Sequence, residues 1–435
     1  MLLPPELIDH IHDELLAVDP KNSDSDAQVT SKQRKALAKC LLISPSFRNR
    51  SIRHLFRVVE ISGTLSRMQQ RTSLLAAILA AESGLNSSSL LPIASVIEEF
   101  ALSFAHVGRH GLASTLHGGK ATESFVLLLR LIRCELDAGT GPKKITLHLH
   151  RQLWTSIAPS FTEQIQTLVQ SSHLTHLSLS SVLLVPPSLL HDSHIISLSL
   201  NDARFQVVGT TSMPLGLATI EPPQLSEFIG SGYIAGLLSP GSQHSIYKKL
   251  FSQLTILRWY SAEFEEKRDL KLILQACANS LEELDLGISS TKLNDTDMLR
   301  DMKKLRQLNL QVECASSTLE NLTNFFTTSS TLLGLYAVHL AFSAGHRTTQ
   351  NSQLPLGLHG NFANSQHLDR KLSSSFYPAL KNITISIALD RRGLWPPPAV
   401  EDVRSAAENE LRELFPSLTA STTKKFLTIV NLELA

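Results

Sequence analysis

The feature that most constrains this chain is a short apolar phrase of the form L-x-x-L-x-L that keeps returning. It stands at Phe56/Val59/Ile61, Ile97/Phe100/Leu102, Leu174/Leu177/Leu179 and Ile195/Leu198/Leu200. It recurs at Leu254/Leu257/Trp259, Leu281/Leu284/Leu286, Leu305/Leu308/Leu310, Leu335/Val338/Leu340, Leu380/Ile383/Ile385 and Leu427/Val430/Leu432. The run Ile145-Thr146-Leu147-His148-Leu149 alternates with the same two-residue period. In an extended strand, side chains two apart share a face, so the last two apolar residues of each phrase turn one way and their polar neighbours the other. One such strand with its connector leaves an apolar face open until a neighbour stacks on it.

Helix-like stretches separate the phrases, at Ser66–Ala81, Thr122–Cys134, Phe161–Gln170 and Asp269–Cys277. The step from Leu174 to Ile195 is 21 residues, from Leu254 to Leu281 27, from Leu281 to Leu305 24 and from Leu305 to Leu335 30. These steps fall on or near the leucine-rich-repeat range of about 20–29 residues. The other gaps are longer, so inserts expand some repeats. The expected fold is α/β: an irregular leucine-rich-repeat-like solenoid, with parallel strands on the concave side and helices and loops on the convex side. An ordinary multilayer α/β domain is the alternative.

Several segments fit no repeat. Asp19–Ser31 and Ser83–Ser89 are polar connectors, and Val207–Gly241, with Pro214, Pro222, Pro223 and Pro240, reads as an insert or lid. A second insert is expected near 345–375, where Asn, Gln, His and Ser dominate. Trp395-Pro396-Pro397-Pro398 breaks regular structure ahead of a last helix, Ala399–Phe415.

The first sixty residues differ from the rest. Pro4 and Pro5 suit the first turn of a helix, and Glu6 complements the positive end of its dipole. Leu7, Ile8, Ile11, Leu15 and Leu16 share one helical face, and a second helix is predicted over Arg34–Ile43, ended or kinked by Pro45. The segment Leu3-Pro4-Pro5-Glu6-Leu7-Ile8, then Cys40-Leu41-Leu42-Ile43 with Phe47, then Arg53-His54-Leu55-Phe56 resembles a fungal, basidiomycete-type F-box. The polar insert Asp19–Lys35 lengthens the family pattern, and Phe47 stands where the family often has tryptophan. The step from Ala276-Cys277 to Leu281-Glu282-Glu283-Leu284-Asp285-Leu286 resembles the cysteine-containing leucine-rich repeats that follow F-boxes. The resulting division is an F-box-like module over 1–55 and a solenoid over 56–435.

The resemblance implies that Leu3, Pro4, Leu7, Ile8, Ile11, Leu15, Leu41, Ile43 and Phe47 bind a Skp-type adaptor or pack beneath it. It implies the role of substrate-recognition subunit of an SCF-type (cullin–RING) ubiquitin ligase. In that role the solenoid holds a target protein and other subunits perform the chemistry. An N-terminal helical cap over a repeat scaffold that binds no adaptor is the first alternative. An enzyme with a site assembled from distant residues is the second.

Charge and motif content narrow the functional classes. Forty basic residues against 39 acidic give a net charge of +1. No clustered Lys/Arg footprint for nucleic acid or membrane emerges, and Arg48, Arg50, Arg53 and Arg57 read as a solvated helix face. No apolar run reaches the roughly 18–20 residues needed to span a bilayer, and no secretion signal opens the chain. The expected location is intracellular, cytoplasmic or nuclear. Four separated cysteines read as reduced thiols.

No phosphate-binding glycine loop, no G-x-S-x-G elbow and no zinc-spaced ligand set is present. His117-Gly118-Gly119-Lys120 reads as a loop, and the pairs His148/His150 and His173/His176 lack further ligands. The expectation is a non-enzyme with no cofactor, no metal and no catalytic residue. The expected concave face includes His176, Ser178, Ser180, Ser197, Ser199, Asn201, Asn382, Thr384 and Ser386. The residues put forward for partner binding are Arg258, Tyr260, Glu283, Asp285, Gln307 and Asn309, since tyrosine and arginine are frequent interface anchors.

Overall fold

A computed structural model describes residues 31–83, 92–104, 120–206, 222–231, 234, 249–261, 266–288, 299, 301–313, 318–328, 332–343, 362–390 and 400–433. The chain divides into two compact units. The first comprises Met1–Val207 with Met213–Pro223, and the second Val208–Ser212 with Gln224–Ala435.

In the first unit, helices α1 (Ser31–Cys40) and α2 (Pro45–Phe56) precede strand β1 (Val58–Ser62). Then follow α3 (Leu65–Ser83), the short α4 (Ile93–Val96), β2 (Glu99–Ser103), α5 (Lys120–Asp137), β3 (Lys144–Leu153), α6 (Pro159–Val169), β4 (His176–Leu183) and β5 (Ser197–Asn201). The five strands lie side by side in chain order, all parallel. The helix expected to run to Ile43 stops at Cys40. Pro45 is the first residue of α2, capped by Ser44, whose hydroxyl accepts from the Phe47 amide at 3.4 Å. A proline at that position costs no hydrogen bond, so it starts a helix here as well as closing the preceding one.

The second unit holds β6 (Glu227–Ser231), β7 (Ile256–Ser261), α7 (Glu266–Cys277), β8 (Glu283–Ile288), β9 (Gln307–Glu313), α8 (Thr318–Thr328) and β10 (Ala337–Ser343). It ends with α9 (Phe362–Ser373), β11 (Asn382–Asp390), α10 (Val400–Leu414), the short α11 (Pro416–Thr419) and β12 (Lys425–Glu433). Its seven strands are again parallel neighbours in chain order.

Within each unit the repeat is written in the backbone. The carbonyl of Thr255 accepts from the amides of both Glu282 and Glu283, that of Glu282 from Arg306 and Gln307, that of Arg306 from Tyr336 and Ala337, and that of Tyr336 from Lys381 and Asn382. The first unit repeats the device at Arg57, Glu98, Lys143 and Thr175. The first apolar residue of each phrase closes a tight turn before its strand, as Leu254, Leu305, Leu335 and Leu380 do by donating to the carbonyl three residues earlier. Polar satisfaction and apolar stacking therefore point to one register. The phrase leucines form the core: Leu254, Leu257, Leu281, Leu284, Leu305, Leu308, Leu335 and Leu340 are fully buried. Each such side chain contributes about 1.5–3 kcal/mol of burial free energy.

Three segments differ from expectation. Strand β6 lies inside the stretch read as an insert at 207–241, because its phrase, Leu225/Phe228/Gly230, carries glycine at the third anchor. The Phe228 ring fills that place, 2.8 Å from where a Gly230 Cβ would stand. Helix α9 lies inside the expected 345–375 insert, where Leu368 and Leu372, one turn apart, supply its buried face. In β12 the inward residue aligned with Ile383 is Phe426, and Leu427 aligns with Thr384 and is 46% exposed. The phrase at Leu427/Val430/Leu432 thus stands four residues beyond the one in register with Leu380/Ile383/Ile385, so its first anchor falls inside the strand, one residue from the inward Phe426 and on the opposite face. Among the described residues, no helix is long and apolar enough to cross a membrane.

Candidate functional site

Two surfaces contain the residues singled out from the sequence. At the first, α1 and α2 form a hairpin with Leu37, Cys40, Phe47 and Ile52 buried inside it. The turn joining them is set by amide bonds from Leu42 to the Lys39 carbonyl and from Ile43 to the Cys40 carbonyl. That turn leaves Leu42 88% and Ile43 61% exposed, with Leu41 half-buried beside them. Leu3, Pro4, Leu7, Ile8, Ile11 and Leu15 lie outside the described residues. Leu42 was not singled out, although three consecutive apolar residues cannot all share one helix face. Arg48 and Arg53 are exposed on α2, and Arg57 pairs with Glu98 at 2.7 Å.

The second surface is the face of the second unit's sheet opposite its buried leucines. Parallel register sets its rows directly. One row runs Glu227, Ile256, Glu283, Gln307, Ala337, Asn382, Lys425, and the next Ile229, Arg258, Asp285, Asn309, His339, Thr384, Leu427. A third runs Tyr260, Gly287, Gln311, Ala341, Ser386, Ile429. All six residues put forward for partner binding therefore share one face on three adjacent strands, within a few strand spacings of about 4.8 Å.

The side chains on this face are tied together. Arg258 sits between two carboxylates, bonded to Glu227 at 2.8 Å and facing Glu283 at 3.7 Å. The Tyr260 hydroxyl donates to Asp285 Oδ2 at 2.8 Å. The Tyr260 ring lies over Gly287, where a Cβ would come within 2.9 Å of its Cδ1. Burial, and after it the bond to Asp285, push the Tyr260 phenol up to about 12, so it stays a neutral donor at neutral pH. Burial lowers the His339 pKa, with Asp285 opposing, which favours neutral imidazole.

His339 Nε2 and Ser386 Oγ are 2.7 Å apart, the spacing of a nucleophile and its base. Ser386 is 8% exposed on a strand flanked by β10 and β12, whose ladders occupy the neighbouring amides that an oxyanion would need. The pair is a cross-strand polar contact. Sequence reasoning missed Glu227, hidden by the glycine-bearing phrase of β6, and His339, which the phrase Leu335/Val338/Leu340 already placed on the outward face.

In the first unit the corresponding face carries Thr146, His148, His176, Ser178, Ser180, Ser197, Ser199 and Asn201, in register across β3–β5. The alternation of β3 ends before the second histidine of the His148/His150 pair. The register shifts between His148 and Gln152, and His150 and Arg151 adopt left-handed backbone, with Arg151 bonded to Asp202 at 2.6 Å. His176 Nδ1 meets the Thr175 hydroxyl at 2.8 Å. Among the described residues, no group of three His, Cys, Asp or Glu side chains could hold a metal ion. No protein-family model matches the sequence, and no curated protein matches it at a significant level.

Proposed function

We propose that this chain is a non-enzymatic protein-interaction subunit of the kind its N-terminal resemblance implies: an F-box protein with leucine-rich-repeat-like units, serving as substrate receptor of an SCF-type ubiquitin ligase. The N-terminal helical module docks a Skp-type adaptor, the open sheet face holds the target, and the chain contributes proximity and orientation while other subunits perform the chemistry. The observation that supports this reading best is the α1–α2 turn. Leu42 and Ile43 stand exposed side by side at the turn of a hairpin that buries Leu37, Cys40, Phe47 and Ile52, and contiguous exposed apolar surface marks interaction sites.

The test is capture by a purified Skp-type adaptor, comparing wild type with Leu7→Asp/Ile11→Asp and with Leu42→Asp/Ile43→Asp. Circular dichroism confirms that each variant folds. Capture of wild type and loss in both variants is the expected result. A folded wild type that the adaptor does not capture reduces the protein to a repeat scaffold with a helical cap.

A further inference from the structure

The open face of β6–β9 has a chemistry of its own. Among its described side chains, three carboxylates, Glu227, Glu283 and Asp285, share it with one cation, Arg258, which is bonded to the first and faces the second. The face therefore keeps a negative balance that a cationic partner would complement. Arg258 gives one hydrogen bond to these acids, at Glu227, and faces Glu283 at 3.7 Å. Asp285 has one oxygen bonded to the Tyr260 hydroxyl and is half-buried, not sealed.

Around Gly287 this becomes a shaped feature. With no side chain there, Tyr260 Cδ1 comes to 2.9 Å from the place a Cβ would take, and Gln311 Oε1 is 3.7 Å from it. Tyr260 is 38% exposed. A carboxylate, an amide oxygen and an aromatic face thus border one notch, and two of the three are acceptors. A guanidinium suits such a notch, because its plane stacks on a ring while its fork of donors meets carboxylate and amide oxygens. A lysine ammonium offers no plane to stack.

We infer that the notch formed by Tyr260, Asp285 and Gln311 over Gly287 seats an arginine side chain of the target protein. The inference rests on the reading that this sheet face is the target-binding surface, and it names the chemistry that surface selects. The occupant is an extended, arginine-bearing segment lying across the strands.

The test selects random displayed peptides of about twelve residues, each able to span roughly 40 Å when extended, on the immobilised full chain. The expected result is enrichment of arginine at one position. Replacing that arginine by citrulline, which keeps the shape and loses the charge, should weaken binding roughly tenfold, as should Asp285→Asn in the protein. Tyr260→Ala should weaken it roughly three- to tenfold and Tyr260→Phe, which keeps the ring, by less. Binding should also fall with added salt. Selection of no peptide, selection without a basic residue, or an arginine preference that Asp285→Asn and Tyr260→Ala both leave intact would overturn the inference. Adaptor capture run on the same preparations separates the two readings. Capture without arginine selection sinks the notch alone, and arginine selection without capture sinks the ligase role alone.

Discussion

Gly230 sets the repeat pattern against local packing. The phrase Leu225/Phe228/Gly230 departs from its consensus at the third anchor, so pattern reasoning expects Gly230→Leu to complete the repeat and stabilise the strand. Packing gives the opposite sign. A Cβ at Gly230 would stand 2.8 Å from Phe228 Cε1, 3.1 Å from Phe228 Cζ and 3.1 Å from Trp259 Cε3. Neither ring is free to retreat. Phe228 and Trp259 are fully buried, and Phe228 meets Phe251 edge-on with centroids 5.3 Å apart. Forcing an extra methyl into such a site costs about 1–3 kcal/mol, of which the lost freedom of glycine in the unfolded chain returns about 0.4–1 kcal/mol. Gly230→Ala should therefore destabilise by about 1–2 kcal/mol and Gly230→Leu by more. With an m-value of about 3 kcal/mol/M in urea, the alanine midpoint should fall by roughly 0.3–0.7 M. Urea denaturation followed by tryptophan fluorescence reads this directly. Phe228→Leu made in the same chain should relieve the clash, so the double variant should lose less than the two single variants together. An unchanged or raised midpoint for Gly230→Ala, or strict additivity in the double variant, would refute the packing argument.

Three further outcomes follow from buried polar groups. Asp369, 1% exposed, accepts from the amides of Ser417 at 2.8 Å and Leu418 at 2.9 Å; Asp369→Ala should cost about 2–4 kcal/mol in denaturant unfolding and Asp369→Asn less, since one acceptor survives. The Tyr377 hydroxyl donates to the Phe326 carbonyl at 2.5 Å inside the core, so Tyr377→Phe should cost about 1–2 kcal/mol at nearly unchanged volume, and an unaltered midpoint would contradict that. Asp269 is buried, and desolvation raises its pKa from 3.8 to about 6 against the opposing pull of the Ile234 amide. The folded chain thus holds this proton more tightly than the unfolded chain. The stability it brings is complete below the ordinary carboxylate range and is lost as pH rises through about 6, to a total of at most about 3 kcal/mol. Urea midpoints at mildly acidic and mildly alkaline pH should converge in Asp269→Asn relative to wild type, and an equal pH dependence in the two proteins would contradict the assignment.

Much of the fold is legible in the sequence. Strands β1, β2, β4, β5 and β7–β11 lie where a phrase stands, β3 where Ile145–Leu149 alternates, and α3, α5, α6, α7 and α10 agree with their predicted spans to within a few residues. The reason is that each repeat solves the same local problem with the same residues: a leucine to close a turn, then two more to face inward. The exceptions have local causes that a leucine pattern does not encode. Phe228 supplies from the second anchor the volume that Gly230 lacks, and Phe426 takes the inward place beside Leu427.

The sequence by itself determined the strand–helix alternation, the inward face of most strands, and the placing of Arg258, Tyr260, Glu283, Asp285, Gln307 and Asn309 on a common outward face, because side-chain alternation is a property of the strand alone. Tertiary structure decided which of these residues meet. Parallel register brings Arg258 between Glu227 and Glu283 and lays Tyr260 over Gly287 to reach Asp285. Those contacts join residues some 25–31 positions apart, and only the stacking of one repeat on the next fixes such a distance.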